Sequence, residues 1–249
     1  MEDYYKTENR GIMNNQAAYM LVYNSIKDRI LSGVYPIGTL LPPEPALENI
    51  YKVSRTTVRR ATDLLVQEGY VNPQRGVGTV VLDYHVTQNL NKITSMTETL
   101  QAQGYNVSLK EFYIQVIEAD PTIAAVLDIP VRSKVAMIKR VSCANRIPVA
   151  IIYNYIPHEL VPGIENYADR FISLYKFLKE QYYINIEMAQ DTIGAMNATR
   201  EMSEMLNVPE NFAILTIERK CIAQGRCISY DVIKARHDMY SFGISLYGR

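Results

Sequence analysis

Val53-Ser54-Arg55-Thr56-Thr57-Val58-Arg59-Arg60-Ala61, together with the preceding Leu41-Pro42-Pro43-Glu44, decides how the amino-terminal third of the chain folds. Ser54 is an N-cap residue, placed to accept from a free backbone N–H of the next turn. A helix is expected from Arg55 to Glu68, with Val58, Ala61 and Leu65 at i, i+3 and i+7 lining its buried face. Gly69 ends it, able to take the left-handed conformation after a helix. Upstream, Gly38 and the two prolines make a turn that leads into a second helix, about Glu44 to Tyr51, with Leu47 and Ile50 inward. Further back, Asn15 caps a first helix from about Gln16 to Ser32, with Tyr23, Ile26 and Ile30 on one face and Gly33 closing it. Downstream, Tyr70 to Asn72 and Thr79 to Leu82 read as two strands joined by a loop from Pro73 to Gly78. Three helices and a hairpin over residues 16–82 make a winged helix-turn-helix.

The third helix carries chemistry. Arg55 and Arg59 are four apart and project from one face. Ser54, Thr56 and Thr57 are short donors beside a helix N-terminus, where free N–H groups and the helix dipole favour phosphate. A helix entering the major groove needs such short residues for close approach, and arginine forks for guanine or phosphate. Lys52, Arg60 and Arg75 are candidate phosphate contacts. The competing reading of the spacing is an ordinary surface helix with two solvated arginines. Charge separates the two weakly. Residues 51–82 hold five Lys/Arg against two Asp/Glu, an excess that a solvated face also shows.

The whole chain, 249 residues with 26 basic and 26 acidic side chains, is long enough for two ordinary domains. Its 48% hydrophobic content supplies a core and excludes wholesale disorder. No apolar run long enough to span a membrane occurs, and the polar start lacks the apolar core of a secretion signal. Three cysteines, Cys143, Cys221 and Cys227, make no even disulfide set and have no CxxC spacing, as expected of free thiols in a reducing cytoplasm. His85, His158 and His237 are too far apart for a local metal pair. P-loop, GxGxxG and GxSxG motifs are absent. The reading is therefore no metal, no cofactor and no catalytic residues.

Residues 1–15 are expected to be a flexible tail and 83–90 a linker, leaving 91–249 as a second domain. There Ser95 and Glu98 have the spacing of a capping box opening a helix from about Met96 to Gln103. Strand-like runs follow at 107–118, 135–143, 149–155, 213–223 and 227–235. Helical runs are expected at 121–127, 173–183 and 199–206. The mixture predicts an α+β domain around an antiparallel sheet.

Residues 20–82 resemble the DNA-binding domain of the GntR family of bacterial transcription regulators. The likeness is carried by Leu41-Pro42, Glu44, Val53 through Ala61, Leu64-Leu65, Glu68-Gly69 and Gly76-x-Gly78-Thr79-x-Val81. It implies DNA contacts from the positions of Arg55 and Arg59 and from the threonine region between them. It also implies a wing tip, Gly76 to Gly78, in the minor groove, where a residue without Cβ allows close approach. Pro45 departs from the pattern, which has an arginine there that touches DNA.

Residues 85–249 resemble the UTRA effector-binding domain of the HutC branch of that family. The carriers are Thr94 through Glu98, Arg140, Pro148-Val149-Ala150, Tyr155-Ile156-Pro157, Ser173-Leu174-Tyr175, Leu206 and Arg236-x-Asp238-x-Tyr240-x-Phe242. The resemblance implies a chorismate-lyase-like fold that binds a small metabolite, a phosphorylated sugar or other anion, and carries homodimer contacts. It points to Ser95, Met96, Thr97, Glu98, Arg140, Tyr155, Ser173, Asp231, Arg236 and Tyr240 as effector contacts. Ser142, Ile152 and Ser229 stand where sugar-phosphate members often have an arginine and two glutamates, so a smaller, less hydroxylated or differently charged effector is expected, with Asp231 replacing one lost acid. Bland alternatives stand beside these. Ser95 reads equally as a plain helix cap, Arg236 and Asp238 as an internal ion pair, and any single tyrosine among 19 as core. The expectation is a cytoplasmic homodimeric repressor released from a palindromic operator by a small anionic metabolite. The alternative is a lyase-like enzyme domain tethered to a DNA-binding module.

Overall fold

The structure, a computed structural model, describes residues 18–83 and 85–248. The expected tail 1–15, the cap Asn15 and the helix start Gln16 lie outside the described residues. The chain divides into two compact units, one on each side of residue 84.

In the first unit, α1 is helical over 18–31, α2 spans Glu44–Tyr51 and α3 spans Arg55–Gln67. Ile26, Ile30, Leu47, Val58, Ala61 and Leu65 meet in a core with at most 2% exposure. Full burial of one such aliphatic side chain is worth about 1.5–3 kcal/mol, so this contact fixes the three-helix arrangement. Ser54 caps α3 by accepting from the Thr57 N–H, and Gly69 follows the helix at φ +74°. The wing is β1 (Val71–Gln74) paired antiparallel with β2 (Gly78–Val81). The connecting loop is shorter than expected, because Pro73 already pairs with Thr79. Leu40 bridges to Val80, so the segment before α2 joins the wing as a third edge.

The second unit is built on a six-stranded antiparallel sheet ordered β4-β5-β6-β9-β8-β7. These strands are β4 (Val107–Glu118), β5 (Lys134–Ala144), β6 (Ile147–Pro157), β7 (Met188–Asn197), β8 (Ala213–Ala223) and β9 (Arg226–Arg236). Two tight hairpins set the register. Asn145 and Arg146 both have positive φ between β5 and β6, as do Gln224 and Gly225 between β8 and β9. That backbone matches the natural twist of paired strands. Of the helices, α4 (Met96–Ala102) and α6 (Leu174–Tyr182) cover one face, while α5 (Pro121–Leu127) and α7 (Arg200–Leu206) cover the other.

Two elements differ from the sequence reading. Val86–Asn89, expected inside a linker, form β3, which pairs in parallel with β10 (Tyr240–Gly243). The carboxy-terminal segment thereby returns to the start of its own unit. β7 was not expected at all. It is an edge strand, mostly exposed and interrupted by Gly194; its half-buried Ala189 and Asp191 are not a run of apolar residues, so no apolar-polar alternation in the sequence marks it.

Candidate functional site

Two places concentrate functional side chains, one in each unit. In the first, the capped N-terminus of α3 is exposed. Arg55 and Arg59 are 69% and 62% exposed and both reach Glu44 at the start of α2. Arg55 Nε donates to Glu44 Oε2 at 2.9 Å, and Arg59 Nε lies 3.7 Å from Glu44 Oε1. Glu44 thus aligns the two guanidinium groups on one face. Such exposed pairs contribute about 0–1 kcal/mol, so either arginine can exchange the carboxylate for a phosphate or a base. Ser54, Thr56 and Lys52 are exposed beside them, as are Arg75, Gly76 and Gly78 at the wing tip. Arg60 lies over the Tyr19 ring at 4.5 Å. Thr57 is buried, with its hydroxyl 2.9 Å from Ser54 Oγ, so it braces the cap from below. Pro45 is exposed in the first turn of α2.

In the second unit, strand alternation divides the expected effector residues. Arg140, Ser142, Asn154, Arg219, Ser229 and Asp231 share one face of the sheet, under α4 and α6. The guanidinium of Arg140 is buried at 4% exposure. It donates to the Ile172 carbonyl (3.2 Å) and to Asn154 Oδ1 (3.1 Å), while its Nε has no partner. Burial pulls the Arg140 pKa down to about 10, against the influence of Asp231 and Tyr175, which raise it. The Ile172 carbonyl also accepts from Thr97 of α4 (3.2 Å). Asp231 accepts from the Tyr175 hydroxyl at 2.8 Å and from Ser229 Oγ. Burial, reinforced by Asp231, keeps the Tyr175 phenol protonated well above its ordinary range. Arg219 forms a two-pronged pair with Asp191 (2.6 and 2.7 Å) and donates to the Thr94 carbonyl at 2.8 Å. Burial works against its charge, but the Asp191 contacts outweigh that and hold it protonated. Tyr240 donates to Gln88 (2.6 Å), which also accepts from Thr99.

The Ser95 and Glu98 groups are occupied by each other. Ser95 Oγ accepts from the Glu98 N–H, and the Glu98 carboxylate accepts from both Ser95 N and Ser95 Oγ. Met96 is buried in the core, and Ser173 caps α6.

Arg236 and Tyr155 lie on the opposite face. Arg236 and Asp238 form a closed pair (2.6 and 2.9 Å) whose remaining prong faces the Pro148 and Leu206 carbonyls. Tyr155 stacks on Tyr230 at 5.9 Å beside α5. The structure therefore brings Arg140, Asp231, Thr97, Ser173 and Tyr240 toward one side and leaves Arg236 and Tyr155 on the other.

Sequence reasoning missed Arg219, Asp191, Asn154 and Gln88, and quoted Tyr175 without giving it a role. A readable signal existed for Arg219. It shares inward parity with Ile217 and Cys221 on β8, so a charge sits where the pattern calls for an apolar residue. Among the described residues no cluster suited to a metal ion occurs. Burial raises the Cys143 and Cys221 thiol pKa values above the ordinary range, which makes both poor nucleophiles at neutral pH. His237 packs on the Phe212 ring at 4.7 Å.

Comparison with known proteins agrees with this division. Residues 18–81 match the model of the bacterial regulatory proteins of the gntR family, and residues 102–241 match that of the UTRA domain. The chain is 30% identical to the HTH-type transcriptional repressor NagR of Bacillus subtilis over 90% of its own length and 92% of the relative's. It is 28% identical to the mannosyl-D-glycerate transport/metabolism system repressor MngR of Escherichia coli, over 92% and 96%. The crystal structure of PhnF from Mycobacterium smegmatis superposes with a TM-score of 0.64 at 26% identity, covering 92% of this chain and all of that one.

Proposed function

Because the chain belongs to the gntR family of bacterial regulatory proteins and carries a UTRA domain, we propose that it is a repressor released from a palindromic operator by a small anionic metabolite. The observation that carries the reading is the exposed Arg55–Arg59 pair, aligned by Glu44 at the capped start of α3. In this reading α3 enters the major groove, and Arg55, Thr56 and Arg59 contact base edges or phosphate. Ser54, Lys52, Arg60 and Arg75 contact phosphate, and Gly76 and Gly78 bring the wing backbone close to the minor groove. Thr57 supports the cap. A homodimer presents two such helices to a two-fold symmetric site.

The effector lies against the sheet face that holds Arg140 and Asp231, with Thr97, Glu98, Ser173 and Tyr240 around it. A buried arginine with an unpartnered Nε is the group in the domain best placed to take an oxyanion. The name of the MngR relative ties that protein to a mannosyl-D-glycerate system, and by likeness a small polar metabolite suits this sheet face. Such a ligand changes DNA affinity only through its different affinity for the free and the DNA-bound protein.

The test is the melting temperature of the full chain against phosphorylated sugars, organic acids, amino acids and nucleosides. A ligand at 100 times its Kd stabilises the fold by about 2.7 kcal/mol. The expected result is a hit that also weakens operator binding. A hit that leaves operator binding unchanged contradicts release by effector.

A further inference from the structure

We propose that Gln88 is a positioning residue that couples the start of α4 to β3, the strand through which the chain enters the second unit. The proposal rests on the regulator reading above and names a side chain that carries its regulation.

β3 and β10 form a two-stranded sheet of their own, outside the six-stranded one. The backbone pairing of β3 therefore leads to β10, and its polar ties to α4 run through side chains. One tie is exposed. The Gln103 amide, at the end of α4, accepts from Thr87 N (3.2 Å) and donates to the Thr87 carbonyl (2.8 Å). Water replaces either partner of an exposed pair at little cost. The other tie is Gln88, which is buried at 2% exposure.

The Gln88 amide uses its full capacity. Its Nε2 donates to Thr94 Oγ1 at 2.8 Å and to the Thr94 carbonyl at 3.5 Å. Its Oε1 accepts from the Thr99 hydroxyl at 2.9 Å and from the Tyr240 hydroxyl at 2.6 Å. Thr94 and Thr99 stand on either side of the first turn of α4, with their hydroxyls 3.1 Å apart. One amide thus joins β3, β10 and the capped start of α4 in a buried ring. Moving α4 without β3 leaves buried donors and acceptors unmade, at the full cost of their desolvation.

Thr94 is also anchored from the other side. Arg219 donates to its carbonyl at 2.8 Å and is held by Asp191. The same guanidinium lies 3.5 Å from the Tyr175 hydroxyl, which donates to Asp231. The cluster on the sheet therefore grips the Thr94 carbonyl, and Gln88 grips its hydroxyl. Toward the first unit, only residues 82–85 separate Val81 at the end of β2 from Val86 at the start of β3. So short a stretch of chain limits how far the two strands can part. A path of contacts is a coupling only where both ends bias it, which is a measurable property.

The test is hydrogen exchange of residues 94–99 in the full-length protein, with and without the inverted repeat that the wild-type chain enriches from a random duplex library. Coupling is reciprocal, so DNA bound by the first unit registers at the start of α4. In the wild type the exchange rate is expected to change by about fivefold, the lower end of the usual range between coupled sites. In Gln88→Met the change is expected to vanish, while binding to a half-site duplex stays at the wild-type level. Thr94→Val, which keeps the Gln88 bonds to Thr99 and Tyr240, is expected to behave in the same way. Exchange that responds equally in the wild type and both variants overturns Gln88 as the coupling residue. Loss of half-site binding in both variants makes its role structural and overturns the proposal too. Exchange that DNA leaves unchanged in the wild type overturns the coupling and leaves DNA binding standing. A wild-type chain that enriches no repeat overturns the regulator reading itself, and the proposal with it.

Discussion

Glu44 touches both arginines at the start of α3, and this single carboxylate makes opposite predictions for two variants. Arg55→Ala removes a fork, so affinity for a specific operator is expected to fall by about 1–3 kcal/mol, read by fluorescence anisotropy on labelled duplex. Glu44→Gln removes the charge that competes with phosphate for Arg55 and Arg59. Affinity for random duplex is expected to rise and its fall with salt to steepen, while discrimination between operator and random DNA shrinks. A Glu44→Gln protein with unchanged random-DNA affinity contradicts the competition. In the second unit, Tyr175→Phe removes a donor from buried Asp231. A buried acceptor that loses a donor costs about 1–3 kcal/mol, so the unfolding free energy from urea titration should drop by that amount and the midpoint with it. These single-residue assignments were unevenly legible. The shared exposed face of Arg55 and Arg59 was readable from their four-residue spacing at a capped helix start. The polar cluster around Asp231 was not, because its members come from β5, β6, β7, β8, β9 and α6, and only the sheet register brings them together.

Caps and turns were the elements most open to sequence reasoning, since their chemistry is local. Ser54, Ser95 and Gly69 behave as their positions suggest. Ser54→Ala should cost about 1 kcal/mol in unfolding free energy, measured by urea titration of the full chain. Elements defined by distant partners were harder. β3 and β10 exist because two four-residue segments far apart in sequence pair in parallel, and neither run is apolar enough to announce itself. β7 lies mostly exposed at the sheet edge, and its half-buried positions include Asp191, so the sequence shows no apolar alternation there. The end of β9 holds a sharper case. Arg236 and Asp238 are 3% and 9% exposed and pair with each other, and the alternation of the strand turns Arg236 away from Arg140. Sequence spacing offered both an internal pair and an effector contact for Arg236. The geometry gives it a closed set of protein partners. Arg236→Met should destabilise the protein by about 3–5 kcal/mol, because Asp238 is left buried and unpaired. Arg236→Met with Asp238→Leu should recover much of that loss. A double variant less stable than the single one contradicts the assignment.

Across the molecule, the two units carry separate chemistries. The first exposes arginines at a helix start, and the second buries Arg140 and Arg219 beneath α4 and α6. Fold class and this division were legible from element order alone, because three helices and a hairpin precede a long run of mixed strands and helices. The identity of the ligand was not legible in this way, since it depends on which buried donors remain without partners after folding. The measurement that most directly tests the molecule as a sequence-reading regulator is selection of bound DNA from a random duplex library, using the wild-type chain and Arg55→Ala in parallel. The predicted result is an enriched inverted repeat for the wild type, bound with steep salt dependence, that Arg55→Ala fails to enrich. Absence of any enriched sequence, or the same sequence enriched equally by Arg55→Ala, would contradict it.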